Sequence, residues 1–434
     1  MRNLRKLKSN FKEICVVGFK RSGVALCKLA LSLGKKVKVT EINPFGVFYK
    51  PYIDNFSNQG VKFEFGGHTK KFIKSSDLIV LSPGVYTENS AVMTLAKELG
   101  TLVVGELEFA SWFSKGKIIA ITGTNGKTTT TFLTYLVLKS KHKSSYLAGN
   151  IGVPFSSIAL NTEKNSISVL EVSSYQLETI IEFKPYVSCI TNLQPDHLDR
   201  YKNFSEYVRA KMNIFKNQKK TDYAVINKNI SSGIDRKSIK AGIRYFDNEF
   251  GNENFSAAAA IASVFEVTKP ACQRIFSSFK GLSHRMQVVN EINGITFIND
   301  SKATNPSSTA WALKNIEDSV ILIAGGKDKG LDYSEIKPFL KNVKKINLFG
   351  QAREKINRSL SFHKNIEMFF DLEKAVISSF KEAEEKDVIL FSPMCSSFDM
   401  FSSYIERGNF FVSKVKELSL NSQKLTGKMH LKNT

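Results

Sequence analysis

Short apolar runs recur along this chain, and each gives way to a polar turn bearing glycine, proline, serine or asparagine. Ile14-Cys-Val-Val17 leads into Gly18-Phe-Lys-Arg-Ser-Gly23, a helix-like stretch runs from Val24 to Leu33, and Lys36-Val-Lys-Val-Thr-Glu41 reads as a second strand. Asp77-Leu-Ile-Val-Leu-Ser-Pro-Gly84 is a later strand ending in a turn. Beyond it, Lys117-Ile-Ile-Ala-Ile121, Ile167-Ser-Val-Leu-Glu-Val172 and Val187-Ser-Cys-Ile-Thr-Asn192 form a middle block, and Ile298-Asn-Asp300, Ile321-Leu-Ile-Ala-Gly-Gly326 and Val388-Ile-Leu-Phe391 a third. The alternation predicts βαβ units and parallel sheets, whose strand ends deliver polar side chains to a ligand crevice. No internal repeat and no long low-complexity linker interrupts it.

At 434 residues the chain exceeds one typical core, so two or three domains are expected. Hydrophobic residues at 42% and charged ones at 24% describe an ordinary soluble globular protein. No apolar run approaches the roughly 18 residues of a membrane helix, so no integral membrane segment is expected. The basic start (Arg2, Arg5, Lys6, Lys8) is followed by a short apolar run broken at Lys20 and Arg21, so no signal peptide is expected. Cys15, Cys27, Cys189, Cys272 and Cys395 are odd in number and lack metal-type spacing, as in reduced, cytoplasmic proteins. A net charge of +22 raises the question of nucleic acid. The lysines are dispersed, however, and no recognisable module interleaves them with aromatics, so a lysine-rich surface suited to anionic small substrates is expected, with no nucleic-acid partner. The segment 419–434 is polar and basic with little periodicity, and reads as a frayed tail.

The most informative stretch is Gly123-Thr124-Asn125-Gly126-Lys127-Thr128, which stands between an apolar strand and the helix-compatible segment Thr129 to Lys139. Such a turn aims backbone N–H groups at phosphate oxygens at the positive end of a helix. Lys127 adds a point charge on the outer phosphates and Thr128 a hydroxyl for Mg²⁺. The spacing departs from the usual Walker A, because Ile121 stands five residues before Gly126. Glu171, at the end of a downstream strand, is a candidate ligand for the same ion. His197, packed in sequence between Asp196 and Asp199, admits either a structural or a metal- or phosphate-binding role. Gly18 to Gly23 lacks the middle glycine of the dinucleotide pattern, so a plain tight turn competes with a nucleotide loop. Glu41, where an acidic residue often meets a ribose or base, is equally weak alone.

The shortened loop Gly-Thr-Asn-Gly-Lys-Thr-Thr-Thr resembles those of the ATP-dependent Mur ligases and their relative folylpolyglutamate synthase. Gly149-Asn-Ile-Gly152, Leu170-Glu-Val-Ser-Ser-Tyr-Gln-Leu-Glu178, His197-Leu-Asp-Arg-Tyr201 and Ala210-Lys211 are similar to the Mur central domain. His284-Arg285, Asn299-Asp-Ser-Lys-Ala-Thr-Asn305, Gly325-Gly326 and Ser392-Pro-Met-Cys-Ser-Ser-Phe-Asp399 are similar to its C-terminal domain. The resemblance runs from about Ile14 to Leu418. A folylpolyglutamate synthase is not expected to place a Rossmann-like domain before the loop, or to carry Asn-Asp-Ser-Lys-Ala-Thr-Asn.

The resemblance implies an α/β protein of three domains: a Rossmann-like N-terminal UDP-binding domain (1–104), a P-loop-type central ATPase domain (105–281) and a Rossmann-like C-terminal amino-acid domain (282–418), followed by the tail (419–434). It implies a cytoplasmic, monomeric, ATP-dependent amide-bond ligase of peptidoglycan synthesis. Its string around Lys302 resembles members that add D-glutamate to UDP-MurNAc-L-Ala through an acyl phosphate. Carried over, Gly123, Thr124, Asn125, Gly126, Lys127, Thr128 and Thr129 would cradle ATP, with Asn254, Arg285 and Asp300 at adenine, phosphate and ribose. Thr128 and Glu171 would bind one Mg²⁺, and His197 and Lys211 a second; Lys211 would do so as a carbamate formed with CO₂, since an ammonium cannot ligate a cation. Lys127, His197 and Lys211 would be the catalytic set. Ser22, Glu41 and Ser82 would belong to the UDP site, Asn150, Ser173 and His197 to the muramoyl-alanine end, and Lys302, Thr304, Lys329, Ser397 and Phe398 to the amino acid. Departures from the family pattern are Phe250-Gly251 before the adenine asparagine, Tyr404 for a common Phe, and Lys20-Arg21 in the UDP-side loop.

Overall fold

The computed structural model describes residues 8, 10–45, 50–85, 90–198 and 200–430. Three sheets follow one another along the chain. The first comprises β1 (Glu13–Val17), β2 (Lys36–Glu41), β3 (Lys62–Phe65), β4 (Leu78–Leu81) and β5 (Leu102–Gly105), all parallel, in the order β3-β2-β1-β4-β5. The second has β6 (Lys117–Thr122), β7 (Ser145–Gly149), β8 (Ile167–Glu171), β9 (Val187–Ile190), β10 (Tyr223–Asn227) and β11 (Gly242–Phe246), also parallel, with β6 between β9 and β8. The third has β12 (Gln287–Ile292), β13 (Ile295–Asn299), β14 (Val320–Gly325), β15 (Val343–Phe349), β16 (Ile366–Met368) and β17 (Val388–Met394), in the order β12-β13-β17-β14-β15-β16.

The central strands are apolar on both faces because helices cover both, which is why they read as continuous runs in the sequence. In β8 and β9 every residue is buried. The alternating Lys-Val-Lys-Val of β2 would suit a strand with one wet face, yet Lys38 is buried, its Nζ donating to the Phe72 carbonyl at 3.0 Å and to Ser75 and lying 3.5 Å from Glu13. The third sheet opens differently from the other two. Its β12–β13 pair is antiparallel, turned at Asn293-Gly294, where both residues have positive φ (52° and 73°), the backbone of a tight two-residue hairpin.

Packing divides the chain into two units, 1–193 with 205–278, and 194–204 with 279–434. In the first, one apolar core runs from Phe11 and Phe19 through Phe109 and Phe155 to Phe183, so the first two sheets share it. In the second, separate clusters line the two faces of the third sheet. The last helix spans Tyr404–His430; no proline interrupts these residues, and extending an existing helix needs no new nucleus. Residues 431–434 lie outside the described residues. All five cysteines are buried and unpaired, and burial pushes the Cys15 and Cys395 thiols up to about 12.

Candidate active site

In the first sheet, the turn after β1 gathers the three residues expected at a UDP group. Glu41 ends β2 and is buried; its Oε2 accepts from the Phe19 N–H at 2.8 Å, and its Oε1 from Asn43. Ser82, just past β4, donates to the Gly18 carbonyl at 2.9 Å. Ser22 stands in the first turn of the helix Arg21–Ser32, which follows β1 at the switch between β1 and β4. Lys20 and Arg21 are exposed there.

In the second sheet, the Gly123–Thr128 loop joins β6 to the helix Lys127–Lys141. Gly123 (φ 146°) and Gly126 (φ 78°) permit the tight course; a Cβ would collide with Thr191 Oγ1 at the first and with Asn254 Oδ1 at the second. Neighbouring strands pin the loop: Thr124 N–H donates to Asn192 O at 3.0 Å, Asn125 N–H to Asn192 Oδ1 at 2.8 Å, and Thr191 Oγ1 to Asn125 O at 2.6 Å. Lys127 Nζ curls over the loop onto the Thr124 carbonyl at 2.7 Å. Thr128 and Thr129 are buried at the helix start, and Thr129 Oγ1 has no hydrogen-bond partner among the described residues. Asn254 packs on the loop, its Oδ1 accepting from Thr130 at 3.1 Å. Phe250 of the Phe250-Gly251 departure packs edge-on against Phe276.

The same sheet brings Glu171 and Lys211 to the loop. Glu171, buried, is the register partner of Ile121, and its Oε1 accepts from Asn150 Nδ2 at 2.8 Å. Ser173 caps the following short helix in a reciprocal box with Gln176. Lys211, on the helix Phe204–Met212, is only 1% exposed, which rules out a solvated helix lysine; it donates to Gly123 O at 2.7 Å and lies 4.5 Å from the Tyr207 ring centre. Thr128, Glu171 and Lys211 thus converge on the end of β6. Among the described residues no three His, Cys, Asp or Glu side chains form a metal cage. Mg²⁺ needs none, being held through one or two oxygen ligands, water and phosphate.

The second unit holds the remaining positions. Asp300, following β13, is buried; its Oδ2 accepts from Ser392 Oγ at 2.9 Å and its Oδ1 from Met286 N–H at 3.2 Å. Burial pushes its carboxyl up to about 6, against the opposing pull of Arg285. Arg285 Nε is buried with no hydrogen-bond partner among the described residues. His284 is buried at positive φ (63°), its Nδ1 3.0 Å from Asn299 Nδ2, and burial lowers its pKa. A Cβ on Gly408 would strike that ring. Lys302 Nζ lies 4.1 Å from the Tyr404 ring centre, a reason for an electron-rich ring at that departure. Thr304 is half-buried, Ser397 is buried, and Phe398 is exposed. Lys329 is buried and ion-paired to Asp196 at 2.7 Å. His197, in the segment 194–204, has positive φ (54°), and Asp199 lies outside the described residues. Among the described residues, four of the seven non-glycine positions with positive φ (His197, His284, Met286, Met394) sit in these loops, where strain concentrates at sites of function.

Four contributors escape a sequence reading. Asn192 and Tyr207, whose hydroxyl donates to Thr124 Oγ1 at 3.2 Å, hold the phosphate loop. Asp196 occupies Lys329. Arg407, fully buried, donates to Ser301 Oγ and O, Ser396 O and Cys395 O, tying together the loops of Lys302 and Ser397; burial lowers its pKa to about 10. Only Asn192, ending an apolar strand, carried a local signal.

Residues 121–293 match the family model described as the Mur ligase middle domain, and residues 284–395 that of the Mur ligase, glutamate ligase domain. The UDP-N-acetylmuramoylalanine--D-glutamate ligase of Thermoanaerobacter pseudethanolicus is 39% identical over 449 residues, covering 94% of this chain and 98% of that protein. The protein of the same name from Caldanaerobacter subterraneus subsp. tengcongensis is 36% identical, with the same coverage. Among solved structures, UDP-N-acetylmuramate-alanine ligase MurC from Thermotoga maritima aligns with a TM-score of 0.60 at 18% identity, over 94% of this chain and 100% of that one. MurF ligase from the same organism, in complex with ADP, aligns at 0.57 and 17% identity over 91% and 96%. At such identities the structural likeness speaks for the three-domain α/β fold.

Proposed function

Because the chain belongs to the Mur ligase family, we propose that it joins D-glutamate to UDP-N-acetylmuramoyl-L-alanine with ATP, as a cytoplasmic, monomeric enzyme of peptidoglycan precursor synthesis. The observation that carries this reading is near full-length similarity, at 36–39% identity, to ligases of that name, joined to a pinned phosphate loop.

The substrate's alanyl carboxylate attacks the γ-phosphorus of ATP and ADP leaves. The amine of D-glutamate then attacks the acyl-phosphate carbonyl, losing a proton as phosphate departs. Phosphoryl transfer depends on positioning and charge neutralisation. Loop amides at the N-terminus of the helix Lys127–Lys141 and the Lys127 ammonium supply both, and Lys127 exchanges its bond to Thr124 O for one to phosphate. Asn254, Arg285 and Asp300 hold adenine, phosphate and ribose; the buried Arg285 Nε, which has no hydrogen-bond partner among the described residues, suits a phosphate oxygen. Thr128 and Glu171 fit one Mg²⁺ as hard oxygen donors, and His197 with Lys211 would serve a second once Lys211 carries a carbamate. Bound there, the ions would neutralise charge on the phosphates. Ser22, Glu41 and Ser82 hold the UDP group, with Glu41 ordering the Phe19 loop; Asn150, Ser173 and His197 receive the muramoyl-alanine end. Lys302, Thr304, Lys329, Ser397 and Phe398 receive the amino acid, two ammonium groups matching two carboxylates.

The test is ADP release with UDP-MurNAc-L-Ala and a panel of amino acids. D-Glutamate should far outperform D-glutamine, which lacks the second carboxylate. Comparable kcat/KM for the two would refute the charge-matched pocket, and no turnover with D-glutamate would remove the ligase reading.

A further inference from the structure

Lys329 is already occupied. Its Nζ sits 2.7 Å from Asp196 Oδ1, and both side chains are more than nine-tenths buried. The same carboxylate accepts the His197 backbone N–H at 2.9 Å through Oδ1 and Asn305 Nδ2 at 3.2 Å through Oδ2. Asn305 presents its NH₂ there because its Oδ1 is committed to capping the helix Pro306–Lys314, accepting from Ser308 N–H at 2.9 Å and from the Ser307 and Ser308 hydroxyls. The neighbouring acid, Asp328, is held by Lys355, Tyr333 and the Gly330 N–H, so Asp196 is the acid paired with Lys329.

We propose that Asp196 is a built-in placeholder for the amino acid's carboxylate. The proposal rests on the reading of Lys329 as an anchor for that group. A buried ammonium with no counter-charge is costly, and one carboxylate satisfies the same ammonium as another. With the site empty, Asp196 neutralises Lys329; an arriving substrate carboxylate takes its place, and Asp196 swings out. Because Asp196 precedes His197, which the unusual αL backbone holds at φ 54°, the exchange also resets the loop that carries His197. Amino-acid binding and loop position are therefore two faces of one equilibrium, and each must bias the other.

The placeholder lowers apparent affinity by the fraction of time Lys329 is free. If Lys329 spends about nine-tenths of its time on Asp196, removing the acid improves affinity about tenfold. The experiment measures KM for D-glutamate, with KM for ATP as a control of folding, in the wild type, Asp196→Asn, Asp196→Ser and Lys329→Met. The expected result is a lowered KM for D-glutamate in both Asp196 variants, at unaltered KM for ATP, and a raised one in Lys329→Met. An unchanged or raised KM for D-glutamate in folded Asp196 variants overturns the placeholder while leaving the ligase intact. An unchanged KM in Lys329→Met overturns the anchor on which it rests, and a wild type inert towards D-glutamate overturns the function itself.

Discussion

Lys127 Nζ donates to a backbone carbonyl that phosphate must displace, so its truncation removes charge from the transferring phosphoryl group. Lys127→Ala should keep its fold and lose about a hundredfold or more in kcat, the scale of losing one preorganised electrostatic contact; near-normal ADP release in a folded variant would contradict the assignment. At Lys211, Ala should be almost inactive and regain part of its rate with formate or acetate, whereas Arg, which keeps the charge, should stay inactive. An active Arg variant would mean that positive charge alone suffices. Asp300 gives a pH signature. Its carboxyl in the folded protein, at about 6, lies above the ordinary value of 3.8, so protonation favours the folded state. The contribution to stability is full below about pH 4 and is lost as pH rises through about 6, a difference of about 3 kcal/mol for two pKa units. Urea midpoints for Asp300→Asn should lack this component between pH 4 and 7. In the wild type, KM for ATP should rise as pH falls through 6, because the protonated acid accepts ribose hydroxyls poorly.

Elements impose their own constraints. The helix Tyr404–His430 carries Gly408 where a Cβ would strike His284. Alanine ordinarily improves a helix by about 1 kcal/mol over glycine. Here Gly408→Ala should instead lower the melting temperature, since overpacking costs about 1–3 kcal/mol; a rise in Tm would show that His284 moves aside freely. Strand-to-loop units were legible in the sequence because their causes are local: Gly123–Thr128, Glu171 at the end of β8 and the turn after β1 all declare themselves within a few residues. The burial of Lys38 and Lys211 was not, since lysine type favours solvent and only neighbours distant in sequence cover them. The β12–β13 hairpin had a local signal, Asn293-Gly294, but it sat within a run of parallel units whose pattern predicted a crossover. The pairing of Asp196 with Lys329 and the bridging by Arg407 join loops more than a hundred residues apart, and no spacing in the sequence encodes them.

At the scale of the molecule, a charge of +22 meets substrates that are all anionic. Raising ionic strength from about 0.01 to 0.15 M shrinks the screening length from about 30 to about 8 Å, so kcat/KM for the UDP-linked substrate should fall over this range while kcat stays level. A flat salt profile would assign the charge no part in capture. The order of the chain also matters to the second unit, which takes residues 194–204 from the middle of the sequence and everything else from beyond 279. A ribosome delivers Asp196 133 residues before Lys329, on the order of ten seconds at typical elongation rates. During that interval the nascent loop waits for the residues beyond 279 with which it packs in the finished unit. Fragments ending before residue 279 should therefore be nicked by protease within 194–204, while the full-length chain resists there: the last third of the protein is, in effect, the chaperone of a loop made long before it.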